Sequence, residues 1–385
     1  MRSKDRAKCG ANLKNGALRP EFADAAWTAG VYGRSTERQS VRMQLGETEF
    51  EDAAWTAGVY GRSTERQSVR TQLGETEFAD VNRKRFKRLI YQKGIIKMNG
   101  MNIDINTKIM AVIGDPIAHS LSPLMHNDII AANGLNAAYF PFHVKPENLA
   151  QFVESAKNLG FAGFNATMPH KGALLDIVDN IDDEAASYRS INTVKIRDGV
   201  TYGYNTDVRG LFTAFADRGI TLKGSKIMIL GAGGAAGSIA IGAGTQGVGS
   251  ITIFNRTLEK AEELCSSLEY ACAKEWDNDE MRRTASESDI IINCTALGMN
   301  GIESDFEDLS FLDDTSALLC DLIYNPWETN FLRCGREHGL ETMNGISMLI
   351  YQGILAFEIF MDVKLDSKKE AQRLYDICQE KLVEK

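Results

Sequence analysis

The feature that most constrains the fold is a glycine-rich turn in the middle of the chain, directly after a short apolar strand. The strand is predicted over Lys226–Leu230, and the turn reads Gly-Ala-Gly-Gly-Ala-Ala at 231–236. Gly231 permits a tight turn, and Gly233 lets the backbone approach a pyrophosphate, while a small third residue allows close helix packing. The helix that begins here would offer free N–H groups and a positive dipole to an anion. With a second strand over Ile251–Phe254, the pattern predicts a Rossmann-type dinucleotide-binding domain.

The end of that second strand indicates which dinucleotide is bound. An NAD site normally places Asp or Glu there for the ribose 2′-hydroxyl. This chain has Asn255-Arg256-Thr257 instead, with Lys260 one turn further on. A carboxylate would repel a 2′-phosphate, whereas a guanidinium can bind and stack on it. The pattern favours NADP over NAD; the alternative is a surface arginine that begins a helix.

Upstream of the turn, apolar runs alternate with helical patterns from Lys108 onward. Strands are predicted over 109–113 and 138–142, with a strand end at 163–165, and helices over 124–133 and 147–159. Strands and helices that alternate at this spacing predict an α/β fold with a layered, mixed or parallel sheet. Downstream, 346–361 predicts an apolar helix and 367–382 an amphipathic surface helix.

Polar residues concentrate where two of the upstream strands should end. Ser120 and Ser122 lie in a loop that enters a helix, so both hydroxyls could donate to one carboxylate. The alternative is that Ser122 only caps a helix that opens at Pro123. Lys171 follows a Met-Pro turn and Asp207 ends an Asn-Thr-Asp motif. If the two meet, the carboxylate would hold the ammonium, and both could hydrogen-bond a reacting hydroxyl.

Taken in order, these motifs resemble those of the shikimate dehydrogenase family over about 108–365. They are Ser-Leu-Ser-Pro with His-Asn, Asn-Ala-Thr-Met-Pro-His-Lys, Ile-Asn-Thr, Asn-Thr-Asp, Gly-Ala-Gly-Gly-Ala, Asn-Arg-Thr, Asn-Cys-Thr-Ala-Leu-Gly-Met, Asp-Leu-Ile-Tyr-Asn-Pro, and Gly-Ile-Ser-Met-Leu with Gln-Gly. The resemblance implies a two-domain NADP-dependent oxidoreductase that reversibly reduces 3-dehydroshikimate to shikimate. That reaction belongs to chorismate and aromatic amino-acid biosynthesis.

The resemblance also implies a role for each matching residue. Lys171 would be catalytic and Asp207 its partner. The substrate would be held by Ser120, Ser122, Thr167, Asn192, Tyr324 and Gln352, with Asp207 also among the groups on the ring hydroxyls. The cofactor would contact Gly231, Ala232, Gly233, Gly234, Ala235, Asn255, Arg256, Thr257, Lys260, Leu322 and Gly345, with Asp183 at its periphery. No metal is implied, and His119, His126, His143 and His170 lack the carboxylate–histidine spacing of a metal site.

Departures from the family pattern leave alternatives open. Arg189-Ser190 stand where a Gly-Ala pair is common, Val208 where Gly is common, and Phe360 where Trp is usual. A quinate/shikimate dehydrogenase that uses NAD or NADP is therefore the alternative within the class. Outside it, the alternative is a non-catalytic NADP-binding regulatory protein.

The predicted domains are 102–212 for the substrate, 213–340 for NADP, and 341–385 for helices that return to the substrate domain. Before them, residues 22–49 recur at 50–77, with only Ala23/Glu51 and Met43/Thr71 differing. The two copies are nearly identical and show no clear helix or strand periodicity, which predicts that the 1–97 extension is disordered. Alternatively, the functional protein starts at Met98 or Met101, and the extension results from a reading frame that begins upstream.

Charge and composition limit the partners. Residues 1–97 hold 19 Lys plus Arg against 12 Asp plus Glu, and the remainder holds 24 against 40, a net −16. An acidic body argues against nucleic-acid binding. No apolar run is long enough for a membrane span, the start is no secretory signal, and seven scattered cysteines are typical of a cytoplasmic protein. A homodimer is compatible with the sequence, which does not specify the oligomeric state.

Overall fold

The computed structural model describes residues 104–299 and 305–383. The duplicated extension at 1–97, predicted to be disordered, lies outside the described residues. Within them the chain forms two six-stranded sheets with helices on their faces, as the α/β prediction requires.

The first sheet is mixed and carries strands from the first half of the described chain. Its strands are β1 Lys108–Gly114, β2 Ala137–His143, β3 Gly163–Ala166, β4 Asn180–Ile181, β5 Thr193–Arg197 and β6 Val200–Tyr204. Their order is β2-β1-β3-β5-β6-β4, with β2, β1 and β3 parallel and β5 antiparallel to both its neighbours. The helices of this part are α1 Ser122–Ala132, α2 Leu149–Asn158, α3 His170–Ala173, α4 Asp183–Tyr188 and α5 Asp207–Asp217.

The antiparallel pair β5–β6 is a hairpin closed by Asp198 and Gly199. Both residues have positive φ, 53° and 75°, which is the backbone that two-residue hairpin turns require and that Asp-Gly adopts readily. The turn places β6 back beside β5, so that Asn192 and Tyr204 meet at the edge where the strands end.

The outer edge of β2 is protected against pairing with another strand. The Asn127 side chain both accepts from Tyr139 N at 3.0 Å and donates to Tyr139 O at 2.9 Å. Two residues further on, Pro141 has no N–H to offer. Both features block strand addition at an edge that would otherwise present unpaired backbone groups.

The second sheet is wholly parallel. Its strands are β7 Lys226–Leu230, β8 Ser250–Asn255, β9 Ala271–Glu275, β10 Ile290–Asn293, β11 Leu318–Asp321 and β12 Thr342–Met343. The order β12-β11-β10-β7-β8-β9 is the doubly wound order of dinucleotide-binding domains, in which the ligand crevice lies outside the carboxyl ends of the two central strands. Its helices are α6 Gly234–Thr245, α7 Leu258–Cys265, α8 Asn278–Glu287 and α9 Asn330–Glu337. Strand β12 lies beyond residue 340, the predicted end of the NADP domain.

Two last helices, α10 Ile346–Met361 and α11 Ser367–Val383, return to the first part of the chain. Helix α10 packs along α5, and both α10 and α11 contact α1. Arg373 of α11 reinforces the contact, since its Nε donates to Asp128 at 2.6 Å and its guanidinium also pairs with Glu370. Among the described residues, no helix is long and apolar enough to cross a membrane.

Candidate active site

Lys171 and Asp207 meet in the structure, although 36 residues separate them in the chain. Lys171 Nζ lies 2.7 Å from Asp207 Oδ2, and the two side chains are 32% and 18% exposed. An ammonium held by a carboxylate and still open to solvent can stabilise charge on a reacting oxygen and exchange a proton with it. The arrangement has the chemistry predicted for a carbonyl–alcohol interconversion.

The backbone around Lys171 is fixed on both sides. The preceding His170 is buried, and its Nε2 lies 2.7 Å from Val144 O at the end of β2. Lys171 O accepts from Ile191 N at 2.9 Å, which ties the lysine to the segment that enters β5. The lysine therefore lies on a short helix that is held by the segments next to β2 and β5.

A cluster of buried amides and hydroxyls lies at the ends of β3, β5 and β6. Asn192 Nδ2 donates to Thr206 Oγ1 at 3.0 Å and approaches Gln352 Oε1 at 3.4 Å, while Asn192 Oδ1 accepts from Thr206 N at 2.8 Å. Asn165 joins the cluster through Thr193 Oγ1 at 3.0 Å and the Tyr139 hydroxyl at 2.7 Å. The structure thus brings predicted Asn192 and Gln352 together from residues 160 positions apart.

The predicted hydroxyl groups are distributed over three segments. Ser122 is the first residue of α1 and its N donates to Ser120 Oγ at 3.3 Å. The alternative in which Ser122 caps the helix is wrong, because the residue at the N-cap is Leu121 and no side chain caps there. Thr167 follows β3. Its methyl group would lie 2.4 Å from a Cβ at position 114, so position 114 requires glycine. Tyr324 packs against the same apolar cluster as α1 and α10, and burial raises the pKa of its phenol.

The turn after β7 is suited to a pyrophosphate. Gly231 has φ +100°, a conformation that favours glycine. Gly233, Gly234 and Ala235 are exposed at the start of the 12-residue helix α6, and a Cβ at Gly233 or Gly234 would meet no atom within 4 Å. No side chain caps α6, so its first N–H groups remain available to an anion.

The segment after β8 is suited to a 2′-phosphate. Asn255 ties the two turns together, since its Oδ1 accepts from Ala232 N at 3.2 Å and its Nδ2 donates to Thr257 O at 2.7 Å. Arg256 and Lys260 are exposed, and neither has a carboxylate within salt-bridge distance in the part of the chain that the structure describes. Two unpaired cations fit an anionic ribose phosphate better than a ribose hydroxyl.

A buried polar network supports the other side of the crevice. Asp321 accepts from Asn293 Nδ2 at 3.1 Å, Ile323 N at 2.9 Å and Thr329 Oγ1 at 2.7 Å. Burial raises the pKa of Asp321 to about 6, against the opposing effect of these hydrogen bonds. Between Asp321 and Ile323 lies Leu322, and a Cβ on Gly345 would stand 2.1 Å from Leu322 O. The predicted contacts Leu322 and Gly345 are therefore neighbours.

Asp183 and Arg189 occupy opposite ends of α4. Asp183 is the exposed first helical residue, and it has no described contact with the glycine-rich turn. At the other end Ser238 of α6 approaches Tyr188 O at 3.5 Å, and Arg189 follows in a left-handed conformation with φ 51°. The end of α4 near the NADP domain is thus its carboxyl end.

No group of three or more His, Cys, Asp or Glu in the described residues, His119, His126, His143 and His170 included, is placed to hold a metal ion. Sequence reasoning assigned no role to Asn205, Thr206 or Asn165. Their signal was present in the Asn-Thr-Asp and Asn-Ala-Thr motifs, but the motifs do not reveal which backbone groups these side chains bind.

The matched families cover both parts of the described chain. Residues 112–194 match the family described as shikimate dehydrogenase substrate binding domain, and residues 214–324 match the family described as shikimate / quinate 5-dehydrogenase. Lys171 lies within the first matched span, and Asp207 lies between the two spans.

Individual relatives agree in sequence and in structure. The chain is 40% identical over 265 residues to the shikimate dehydrogenase (NADP(+)) of Alkaliphilus metalliredigens, covering 66% of this chain and 91% of the relative. A crystal structure of a shikimate dehydrogenase in complex with NADP+ is similar with a TM-score of 0.64 and 36% identity, covering 73% of this chain and 99% of that chain. The shikimate 5-dehydrogenase of Listeria monocytogenes, in complex with shikimate and NAD, gives 0.64 and 32%, covering 71% and 98%.

Proposed function

Because the chain belongs to the shikimate dehydrogenase family, we propose that it reversibly reduces 3-dehydroshikimate to shikimate with NADPH, and that Lys171 and Asp207 carry the proton chemistry. The observation that carries this proposal is the 2.7 Å contact between Lys171 Nζ and Asp207 Oδ2 at the end of the first sheet. A non-catalytic NADP-binding protein would have no need of a partly exposed lysine held by a carboxylate there.

In the direction of reduction, NADPH supplies the hydride when it is bound. Negative charge then develops on the ketone oxygen, and the Lys171 ammonium stabilises that charge and delivers a proton to the oxygen. Asp207 holds the ammonium in place throughout. In the direction of oxidation the same pair receives the proton of the hydroxyl.

The buried amides and the free hydroxyls account for recognition of a polyhydroxylated acid. We assign the ring hydroxyls to Thr167, Asn192 and Gln352, with Asp207, and the carboxylate to Ser120, Ser122 and Tyr324. Gln352 keeps one N–H and one lone pair beyond its bonds to Leu349 O and Asn192 Nδ2, so it can pair with a ring hydroxyl directly. Asn192 would bind a ring hydroxyl in exchange for one of its bonds within the cluster.

NADP is supported as the cofactor by the free α6 start and by the unpaired Arg256 and Lys260. The other cofactor residues, from Gly231 to Gly345, are assigned from the family pattern. The bonds of Asn255 to Ala232 and Thr257 and the close approach of Leu322 and Gly345 support the assignment. We further infer a cytoplasmic enzyme of aromatic amino-acid biosynthesis that forms a homodimer. The acidic body of the chain supports the inference that the enzyme binds no nucleic acid.

The purified full-length chain should reduce NADP in the presence of shikimate, with a rise in absorbance of NADPH. The same assay with quinate, and with NAD in place of NADP, distinguishes the quinate/shikimate alternative that Arg189-Ser190 leaves open. If neither acid supports reduction of either dinucleotide, the proposed function is wrong.

Lys171→Met tests the role of the ammonium. We expect kcat to fall by about 10²–10⁴-fold, the usual worth of a positioned general acid–base group, with binding of NADPH retained. Lys195→Met is the matched control, since Lys195 is a mostly buried lysine paired with Asp362 away from the cleft. Unchanged turnover in Lys171→Met would remove the lysine from the mechanism.

A further inference from the structure

We propose that Asn205 is a positioning residue for this reaction: its amide joins the backbone that carries Lys171 to the backbone that carries Asp207. The inference rests on the proposed function and adds a residue that touches neither substrate nor cofactor. Asn205 is 3% exposed and lies between β6 and α5.

The oxygen of the amide fixes the start of the helix that carries the carboxylate. Asn205 Oδ1 accepts from Asp207 N at 3.0 Å and from Val208 N at 3.3 Å, the first two N–H groups of α5. Thr206 occupies the N-cap but makes no capping bond with its side chain. Its hydroxyl is engaged by Asn192 instead. Asn205, one residue before the N-cap, therefore caps α5 in place of Thr206. Its bonds fix the position of the Asp207 backbone at the start of the helix.

The nitrogen of the same amide reaches the lysine side. Asn205 Nδ2 donates to Ser190 O at 2.9 Å. The next residue, Ile191, donates its N to Lys171 O at 2.9 Å. One short path thus leads from the backbone of Lys171 through Ile191 and Ser190 to Asn205, and from there to the backbone of Asp207.

This path acts on the distance that the chemistry needs. The side chains of Lys171 and Asp207 meet at 2.7 Å, and both are partly exposed, so burial alone does not fix them. A displacement of either backbone by about 1 Å is enough to cost on the order of 10²-fold in rate when reacting groups are misaligned. Asn205 opposes such a displacement from both sides.

Only an amide can make both contacts at this reach. Aspartate keeps the acceptor for Asp207 N and is as good a helix cap, but at neutral pH it has no proton for Ser190 O and would oppose that carbonyl. Serine offers a shorter acceptor, and alanine offers neither contact. The substitutions therefore separate capping of α5 from the link to Ser190.

The experiment compares Asn205→Asp and Asn205→Ala with the unaltered full-length chain, measuring kcat, KM for shikimate, KM for NADP and the melting temperature. We expect Asn205→Asp to keep KM for NADP while kcat falls about 10-fold or more. Its melting temperature should fall too, because the buried carboxylate faces Ser190 O. Asn205→Ala should lower kcat at least as far and also lower the melting temperature. The matched control is Asp277→Ala, which removes a helix cap on Glu280 N in the second domain and should lower stability with kcat unchanged.

A role limited to capping predicts the opposite for Asn205→Asp, namely full kcat. That result, or wild-type kcat in Asn205→Ala, would overturn the positioning role while leaving the proposed function intact. The proposed function is judged separately, by reduction of NADP with shikimate in the unaltered chain.

Discussion

Single side chains in the cleft differ in how many of their polar atoms the protein itself uses. Asn192 engages both ends of its amide within the buried cluster, whereas the hydroxyl of Ser122 has no partner among the described residues. An unpaired buried group costs about 1–3 kcal/mol, so the saturated amides hold the shape of the cleft. The Ser122 hydroxyl, the second N–H of Gln352 and the Lys171 ammonium keep bonding capacity for a ligand, whereas Asn192 would bind one only in exchange for a bond within the cluster.

Arg256 is the residue on which the choice of dinucleotide depends most directly. Arg256→Ala should weaken binding of NADPH by about 10–100-fold, the worth of a hydrogen bond to a charged group, and leave the weaker binding of NADH unchanged. Titration of nucleotide fluorescence measures both. Arg283→Ala, at an exposed arginine of the same domain that pairs with Glu280, is the control. Equal losses for the two nucleotides would mean that Arg256 does not bind the 2′-phosphate.

His126 makes stability depend on pH. It is fully buried, stacks on Tyr139 with ring centroids 4.0 Å apart, and has no hydrogen-bond partner at either ring nitrogen among the described residues. Burial lowers the pKa of His126 from 6.5 to about 3. Because the folded-state pKa is depressed, the neutral ring contributes stability that is present above pH 6.5 and lost as the pH falls toward 3.

His126→Phe removes that titration and keeps a flat ring against Tyr139. Between pH 6.5 and 5 the wild-type chain should lose about 1.7 kcal/mol relative to the variant, because the slope rises from half of 1.36 kcal/mol per pH unit at pH 6.5 toward the full value below it. Urea unfolding at several pH values in this range gives the difference. Parallel stability curves for the two chains would show that His126 does not titrate in this way.

At the scale of elements, the crossing of α5 and α10 brings distant parts of the site together. Asp207 begins α5, and Gln352 lies in α10, which follows β12 at the edge of the second sheet. The helices are in close contact at Gly210, where an added Cβ would stand 2.6 Å from Gln352 N. The absence of a side chain at Gly210 therefore sets how near Gln352 comes to the buried amides.

Gly210→Ala should push α10 outward. We expect a loss of about 1–3 kcal/mol in the free energy of unfolding from overpacking, and a higher KM for shikimate with the affinity for NADPH unchanged. Gly237→Ala is the control in α6, where a Cβ would make an ordinary contact at 3.5 Å with Leu264. If Gly210→Ala leaves both stability and KM unaltered, the helices have room that the structure does not indicate.

At the scale of the whole molecule, the local parts of the fold were predictable and the long-range parts were not. The turn at 231–236 and the strands on either side of it follow from residues adjacent in sequence. The hairpin at Asp198-Gly199 also has a local signal, since Asp-Gly is typical of two-residue turns. No local signal, however, states that Asn205 bonds Ser190 O, that Gln352 reaches Asn192, or that Arg373 pairs with Asp128. Those contacts depend on how whole elements pack.

The residues that form the proposed enzyme all follow the 1–97 extension. Among the described residues every strand of both sheets lies at or beyond Lys108. The family match begins at 112, and every predicted site residue lies at or beyond Ser120. A chain that begins at Met98 should therefore retain kcat, both KM values and the melting temperature. Since the removed residues carry the basic excess, the shortened chain should also have a lower isoelectric point. Activity assays, melting curves and isoelectric focusing measure these quantities side by side.

Deletion of 22–49 alone removes one copy of the repeat and keeps the rest of the extension, which makes it the matched control. If the chain from Met98 loses activity and this deletion does not, the extension contributes to the activity, and one copy of the repeat is sufficient for that contribution. If both lose activity, the duplication itself is needed. If both shortened chains are fully active, the whole reaction takes place in the acidic body of the chain. The first 97 residues then contribute neither a side chain to the cleft nor stability to the enzyme.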